Sequence, residues 1–286
     1  MTTAPEILIV GATGSTGRAV SGALATEGIA HRAMSRDTTR VTGELATPVR
    51  GDLDDAQGVR EALNGVRAAY LVTPSTEAAE TQQRRFLDEA VAAGVEHVVL
   101  LSQLGADIDS PVRFLRYHAA VENHAEGLGI GISALRPNLF MQGLLALAET
   151  VRRTGTLPAP IGSAPVSVID VRDIGEVAAN ALIAPTPLGV RTLTGPESLT
   201  HAELADHLST VTGRRIRFED VDPRQFAEVL APVLPTWQIE GLLEDYAHYA
   251  RGEATEVTSA VPDLLGRPAR DFRRFAVEHA DVFRVA

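Results

Sequence analysis

Hydrophobic and polar positions along the first half of the chain switch between two periods. Short apolar, β-rich runs predict strands at Ile7–Gly11, Ala30–Ser35, Thr47–Arg50, Ala69–Val72, His97–Ser102 and Gly131–Arg136. Between them, apolar residues at three- and four-residue steps predict helices over Gly14–Glu27, Asp55–Asn64, Ala78–Ala93 and Arg113–Gly127. Gly28, Gly65, Gly94 and Gly129 stand at or just beyond the helix ends, where a left-handed cap residue is wanted. Strands and helices in strict alternation predict a parallel sheet with helices on both faces, joined by right-handed crossovers.

After Asn138 the rhythm breaks. Thr154–Val168, Ala184–Gly189 and Glu219–Thr236 are rich in Pro and Gly and read as lid and connector segments. Asp173–Leu182 reads as one more helix and Val190–Leu193 as a short returning strand, while the chain from about Gly195 is mainly helical. The expected fold class is α/β, a Rossmann-type doubly wound parallel sheet with a small, mainly helical C-terminal substrate lid. Residues 1–150 form the core, rejoined by about 165–195, and about 151–164 and 196–286 form the lid region.

Composition narrows the function classes. A chain of 286 residues with 45% hydrophobic side chains can bury a substantial core. No apolar run approaches the roughly 20 residues of a membrane helix. The opening MTTAPEILIV runs into a strand without a basic leader, so a cytoplasmic protein that binds no membrane is expected. A net charge of −11 disfavours a nucleic-acid surface, which needs clustered cations. With no cysteine, thiol chemistry and disulfides are excluded. All 26 basic residues are arginine, so every mechanism that needs a lysine amine is excluded too. The histidines lack metal-ligand spacing, and His201 and His207, six apart in a polar helical stretch, read as surface residues; no metal is expected. The sequence does not specify the oligomeric state.

The strongest chemical signal is Ile7-Leu8-Ile9-Val10-Gly11-Ala12-Thr13-Gly14-Ser15-Thr16-Gly17, a strand that enters a glycine turn opening a helix. Gly11 permits the tight turn, Gly14 lets backbone amides approach a diphosphate, and Gly17 lets helix and strand pack closely. Thr13, Ser15 and Thr16 add hydroxyl donors, and the positive helix end faces the phosphates. A Walker loop is excluded because it needs lysine. The second strand ends in Met34-Ser35-Arg36-Asp37, with Arg40 following. Ser35 and Arg36 suit the 2′-phosphate of NADP(H), which is the preferred cofactor; Asp37 reads as a turn or cap residue, and NAD(H) remains possible.

With these landmarks in place, the chain resembles the NmrA-like branch of the atypical short-chain dehydrogenase/reductases, which includes quinone, azo-dye and isoflavone-type reductases and redox-sensing regulators. The resemblance covers most of the chain. It rests on Gly11–Gly17, Gly51-Asp52-Leu53, Leu101-Ser102, Leu135-Arg136-Pro137-Asn138-Leu139-Phe140-Met141, Ile169-Asp170-Val171-Arg172-Asp173-Ile174 and Leu193-Thr194-Gly195-Pro196-Glu197. It implies that Asp52 and Leu53 border the adenine, that Thr73 and Pro74 line the adenosine side, and that Pro137 sits by the nicotinamide. Asp52 read from the residues alone is equally a helix cap.

Many relatives use a Tyr-x-x-x-Lys pair as proton donor. Counted back from the helix signature Glu122, those positions carry Phe114 and His118, so the hydroxyl and the amine are both gone. His118 remains as a catalytic group titrating near neutrality, a ribose-binding group or a structural histidine, with Tyr117 beside it to position substrate. Ser102, on the cofactor side, and Gln103 end strand five, where either can orient a carbonyl or satisfy loop amides. Asn138, Phe140, Met141 and Gln142 fall where a substrate wall belongs, though an apolar helix start explains Phe140 and Met141 as well. The acidic pairs Asp54-Asp55 and Asp170 with Asp173 read as helix starts, and no Gly-x-Ser-x-Gly elbow exists. The leading expectation is an NAD(P)H-dependent reductase of a small quinone-like or conjugated-carbonyl substrate. A non-catalytic NAD(P)-sensing regulator, or an epimerase, dehydratase or cyclase, are the alternatives.

Overall fold

The computed structural model describes residues 6–284; the leader reading of residues 1–5 lies outside them. The strands are β1 (Ile7–Val10), β2 (His31–Ser35), β3 (Ala46–Arg50), β4 (Ala68–Leu71), β5 (His97–Leu101), β6 (Gly131–Pro137), β7 (Thr156–Ala159), β8 (Gly189–Leu193) and β9 (Arg217–Asp220). The helices are α1 (Ser15–Thr26), α2 (Ala56–Leu63), α3 (Ala79–Ala92), α4 (Arg113–Leu128), α5 (Ala148–Thr154), α6 (Val171–Ile183), α7 (His201–Thr212), α8 (Pro223–Leu230), α9 (Thr236–Ala250), α10 (Ala260–Leu265), α11 (Phe272–Glu278) and α12 (Ala280–Phe283), with 3₁₀ turns at Thr38–Arg40 and Met141–Leu147.

Two compact units are present. The first comprises Met1–Ile108, Leu115–Arg136 and Val171–Thr192; the second comprises Asp109–Phe114, Pro137–Asp170 and Leu193–Ala286.

The first unit is built on the expected doubly wound sheet. Strand order is β3-β2-β1-β4-β5-β6-β8, and the pairings from β3 through β6 are parallel. All four residues of β1, β4 and all five of β5 are buried, as strands covered by helices on both faces require. Alternate residues Leu8, Val10, Ala69, Leu71, Val98 and Leu100 enter one core layer with Val59 and Leu63 of α2, Phe86 and Leu87 of α3 and Val121 of α4. The opposite face is covered by α1 and α6, which pack against each other. Order reverses between β2-β1 and β4-β5, so the C-terminal ends of β1 and β4 flank a topological switch point, where such sheets bind ligands. The four cap glycines Gly28, Gly65, Gly94 and Gly129 all take positive φ, 70° to 78°.

The second unit holds a two-stranded parallel sheet, β7 with β9, and helices α5 and α7 to α12. Aromatic rings fill it: Phe226 lies edge-on to Tyr246 at 4.9 Å, Tyr246 meets Tyr249 at 5.7 Å, and Phe272 meets Phe275 at 5.5 Å. Thr200 and Glu203 form a reciprocal capping box that starts α7. Arg113 is caged: its Nε and Nη2 donate to Glu244 at 3.0 and 2.7 Å, Nη1 donates to Glu240 at 2.9 Å, and its guanidinium stands 5.4 Å from the Trp237 ring centroid.

Two expectations are corrected here. Glu219–Thr236 is no plain connector: it carries the end of β9 and the helix α8, started by Asp222 with Pro223 at its first turn, and Thr154–Val168 contains β7. Proline in a first helical turn is pre-organised rather than disruptive, which the count of prolines concealed. His201 is not a surface residue. It is fully buried on the α7 face that also carries Leu204, Ala205 and Leu208, at 5.8 Å from both the Phe218 and Tyr246 rings. Neither ring nitrogen has a hydrogen-bond partner among the described residues. Burial pushes its pKa down to about 4, so the folded chain holds it neutral.

An imidazole kept neutral by folding but protonated near pH 6.5 when unfolded stabilises fully only above that unfolded value. The contribution is lost as pH falls toward the folded pKa of about 4. Urea midpoints are therefore expected to fall between about pH 6.5 and 4.5. Replacing His201→Leu should flatten part of that fall; an unchanged slope in the variant would show that His201 does not contribute.

Candidate active site

The site is assembled at the end of β1. Gly11 takes φ +72°, and a Cβ on it would lie 2.7 Å from Val72 Cγ1 and 2.8 Å from the Val72 carbonyl oxygen. A Cβ on Gly17 would lie 2.2 Å from the Gly11 oxygen, so α1 abuts the strand end only because both residues lack side chains. Gly14 is the N-cap of α1 and no side chain caps it. The leading amides of this helix thus have no intrahelical acceptor and converge on an exposed turn. Gly14 and Ser15 are exposed, Thr13 is half-buried, and Thr16 is buried. Arg18 Nε donates to the Thr13 carbonyl at 3.0 Å and braces the loop. This cradle fits the diphosphate of a dinucleotide, since N–H groups, the helix dipole and the absence of Cβ atoms all favour a close anion.

At the end of β2 the polar groups divide by role. Asp37 accepts from the Thr39 amide at 3.1 Å and from its hydroxyl at 2.6 Å, which holds its carboxyl below the usual range and makes it the cap of the Thr38–Arg40 turn. Ser35 Oγ donates to the Asp37 carbonyl at 3.0 Å. Arg36, between them, is exposed and makes no hydrogen bond or ion pair among the described residues. Arg50 pairs in register with Ser35 across β2 and β3, so a second exposed guanidinium reaches this edge. No local spacing marks Arg50, because only strand pairing brings it beside Ser35.

Further along the same edge, Asp52 accepts from the Asp54 amide at 3.1 Å, whereas the helix cap is Asp55, which accepts from Gln57 at 3.1 Å. Asp52 shapes the turn ahead of α2 and is not its cap; Leu53 beside it is half-buried. Thr73 is buried after β4 and accepts at 2.7 Å from Nε2 of Gln83, a buried carboxamide on α3 whose importance the sequence did not reveal. Pro74 is exposed.

On the other half of the sheet, His118 is buried on α4 with the Tyr117 ring 4.1 Å away. Desolvation, reinforced by the charge of Arg136, pushes its pKa down to about 3. The expected titration near neutrality is corrected: His118 is a neutral imidazole. Ser102 follows β5 and donates its hydroxyl to Glu122, and Arg136 of β6 donates to the same carboxylate through Nε at 3.0 Å and Nη2 at 2.5 Å. The single Ser102 proton is therefore committed to the Glu122 carboxylate. Gln103, next to it, is half-buried and its carbonyl accepts from the Ala106 amide at 3.1 Å.

Pro137, expected beside the nicotinamide, and several of the expected substrate residues belong to the second unit, where they make framework contacts. Pro137 is buried as the last residue of β6. Asn138 is buried; its Nδ2 donates to Ser167 Oγ at 2.7 Å and to the Ala254 carbonyl at 2.9 Å, and its Oδ1 accepts from Leu139 at 2.8 Å, which uses both of its donors. Met141 is buried and begins the Met141–Leu147 turn, for which half-buried Phe140 is the N-cap. Gln142 Nε2 donates to Asp170 at 3.0 Å. Phe114, at the lost tyrosine position, is buried 5.4 Å from Trp237. A helical count places it on the His118 face, but its ring is spent on packing within the second unit.

The chain is similar to known proteins over nearly its whole length. A (4-alkanoyl-5-oxo-2,5-dihydrofuran-3-yl)methyl phosphate reductase of Streptomyces griseus subsp. griseus is 35% identical over 282 residues, spanning 97% of this chain and 99% of that protein. An NAD(P)H azoreductase of Xenophilus azovorans is 33% identical over 285 residues, spanning 98% and 100%. In structure, an NADPH-dependent quinone oxidoreductase of Escherichia coli complexed with NADPH superposes with a TM-score of 0.86 at 23% identity, covering 95% of this chain and 99% of that one, a likeness of fold. Residues 3–263 match the NmrA-like family, and with these full-length relatives the chain belongs to the NmrA-like family.

Proposed function

We propose that this chain is an NADPH-dependent reductase that passes hydride to a small conjugated acceptor, such as a quinone or an unsaturated carbonyl compound. The observation that carries the reading is the division of labour after β2. The carboxylate that would select a ribose 2′-hydroxyl is tied into its own turn, while Arg36 stands exposed beside the glycine cradle. Ser35 and Arg50 border the same edge, and the open amides of α1 hold the diphosphate. NADH uses the same cradle without the 2′-phosphate contact.

When bound, the reduced nicotinamide would supply hydride, and the chain's own residues would bind and orient it. None of the groups at the familiar acid positions gives up a proton at neutral pH. Phe114 has no ionisable group, and His118 is held neutral by burial. Proton delivery then falls to solvent, which suits acceptors whose reduced form is a delocalised anion and disfavours simple ketones. The relatives' names describe such acceptors, an acylated unsaturated lactone in one case and azo compounds in the other. The same lack of an ionisable acid favours one second reading, a nucleotide sensor that binds without turnover. Epimerase, dehydratase and cyclase readings are weaker, because these reactions ask for a base at these positions: Phe114 cannot be one, and burial makes the His118 imidazole only a weak one.

Purified protein should bind NADPH and oxidise it with a naphthoquinone, an azo dye or an unsaturated lactone, and not with an unactivated ketone. Tight binding with no oxidation across the panel would favour the sensor. Arg36→Ala should raise the NADPH dissociation constant roughly 10- to 100-fold, the worth of a charged hydrogen bond, and change that for NADH little; equal losses would overturn the NADPH preference. With a working acceptor, the pH profile of kcat/KM should keep its shape between about pH 5 and 8 in His118→Gln, since the imidazole does not titrate there. An inflection near pH 6.5 that vanishes in the variant would restore His118 as general acid.

A further inference from the structure

Along the chain Glu122 is only a landmark that follows the lost lysine position by four residues. In the structure it is the centre of a small network in the first unit. It lies one helical turn after His118 on α4, with only 11% of its side chain exposed. Three donors converge on it: Ser102 Oγ, Arg136 Nε at 3.0 Å and Arg136 Nη2 at 2.5 Å. Ser102 and Arg136 are fixed to one another by the sheet, since the Ser102 amide donates to the Leu135 carbonyl at 2.8 Å and Leu101 pairs in register with Leu135. The network therefore stands at the C-terminal ends of neighbouring strands β5 and β6, on the half of the sheet away from the adenosine-side strands β2 and β3.

Counting donors and acceptors gives this arrangement a polarity. A serine hydroxyl has one proton and two lone pairs, and a guanidinium has donors only. The one group in the network able to receive the Ser102 proton is the Glu122 carboxylate. Ser102 Oγ then keeps acceptor capacity and no donor for anything that approaches from the strand ends. At Ser102 Oγ a carbonyl, a phosphate or a developing oxyanion finds no donor, whereas a hydroxyl or an amide NH₂ finds an acceptor.

We propose that Glu122 is a positioning residue that fixes Ser102 as a hydrogen-bond acceptor for the nicotinamide half of the dinucleotide, whose donors are the ribose hydroxyls and the carboxamide NH₂. This rests on the NADPH reading above and deepens it. Ser102 neither orients the substrate carbonyl nor gives it a proton. Arg136 holds the carboxylate in place by a two-pronged contact, so that the Ser102 rotamer is set before the cofactor arrives.

The test separates the two halves of the cofactor. Dissociation constants for NADPH and for 2′,5′-ADP, which lacks the nicotinamide half, are measured by calorimetry on the wild-type chain, Ser102→Ala and Glu122→Gln. Ser102→Ala leaves the Glu122–Arg136 ion pair intact, and its folding is checked by its thermal midpoint. Expected are NADPH affinities weakened roughly 3- to 10-fold in each variant, the worth of one neutral hydrogen bond. The 2′,5′-ADP affinities should stay unchanged, and the double variant should be no weaker than the worse single one, since both changes break one chain of contacts. Unchanged NADPH affinity in Ser102→Ala would overturn the proposal. So would a Glu122→Gln that loses NADPH and 2′,5′-ADP in parallel, which would make the network a plain structural tie. A wild-type chain that binds neither ligand would remove the cofactor reading itself, and this assignment with it.

Discussion

Everything at this site depends on how closely the chain can bring a helix end to a strand end. The β1 strand is buried on both faces, so the turn leaving it has no room for a detour, and Gly17 rests against the Gly11 carbonyl at a distance no Cβ would tolerate. That contact aims the uncapped start of α1 at the switch point of the sheet. Amides that would otherwise need a capping side chain are left for an anion. In the proposed reading, binding energy for a diphosphate is thus stored in backbone geometry, and Ser35, Arg36 and Arg50 around it would tune which dinucleotide is held.

The second half of the sheet works by a different physics. Here side chains are dry and their protons are assigned. Burial keeps His118 uncharged, and Glu122 takes the only proton that Ser102 has to give. In the proposed reading, a site so arranged would hold the cofactor in one orientation and offer little acid–base help. The chemistry it can support is bounded by what the acceptor can do with a hydride on its own.

The absence of lysine runs through both units. Cations in this chain are planar forks that bind carboxylates in fixed geometry, as Arg136 does with Glu122 and Arg113 with Glu244. In the second unit Arg113, the first residue of α4, ties that helix start to α9, and tyrosine and phenylalanine rings pack among aliphatic side chains in its core. Asn138, which the chain order places beside the nicotinamide strand, belongs to that framework, because a buried carboxamide is stable only when its donors are satisfied.

Local signals in the sequence were enough for the sheet strands, the first four helices, the cap glycines and the phosphate turn. Each is dictated by residues within a few positions: a two-residue or a 3.6-residue period, a missing Cβ, a cap. Beyond Asn138 those periods weaken, and α8 hid behind prolines that sit where a helix begins. The family of the chain was legible for the same reason, since its landmarks are local. What only the tertiary structure decided was the state of each polar group. Arg50 beside Ser35, Gln83 on Thr73, Glu122 on Ser102 and Arg136, and the neutral His118 and His201 all arise from contacts between residues distant in the chain. A side chain's charge and its free lone pairs are set by what surrounds it in space, and no spacing along the chain records that.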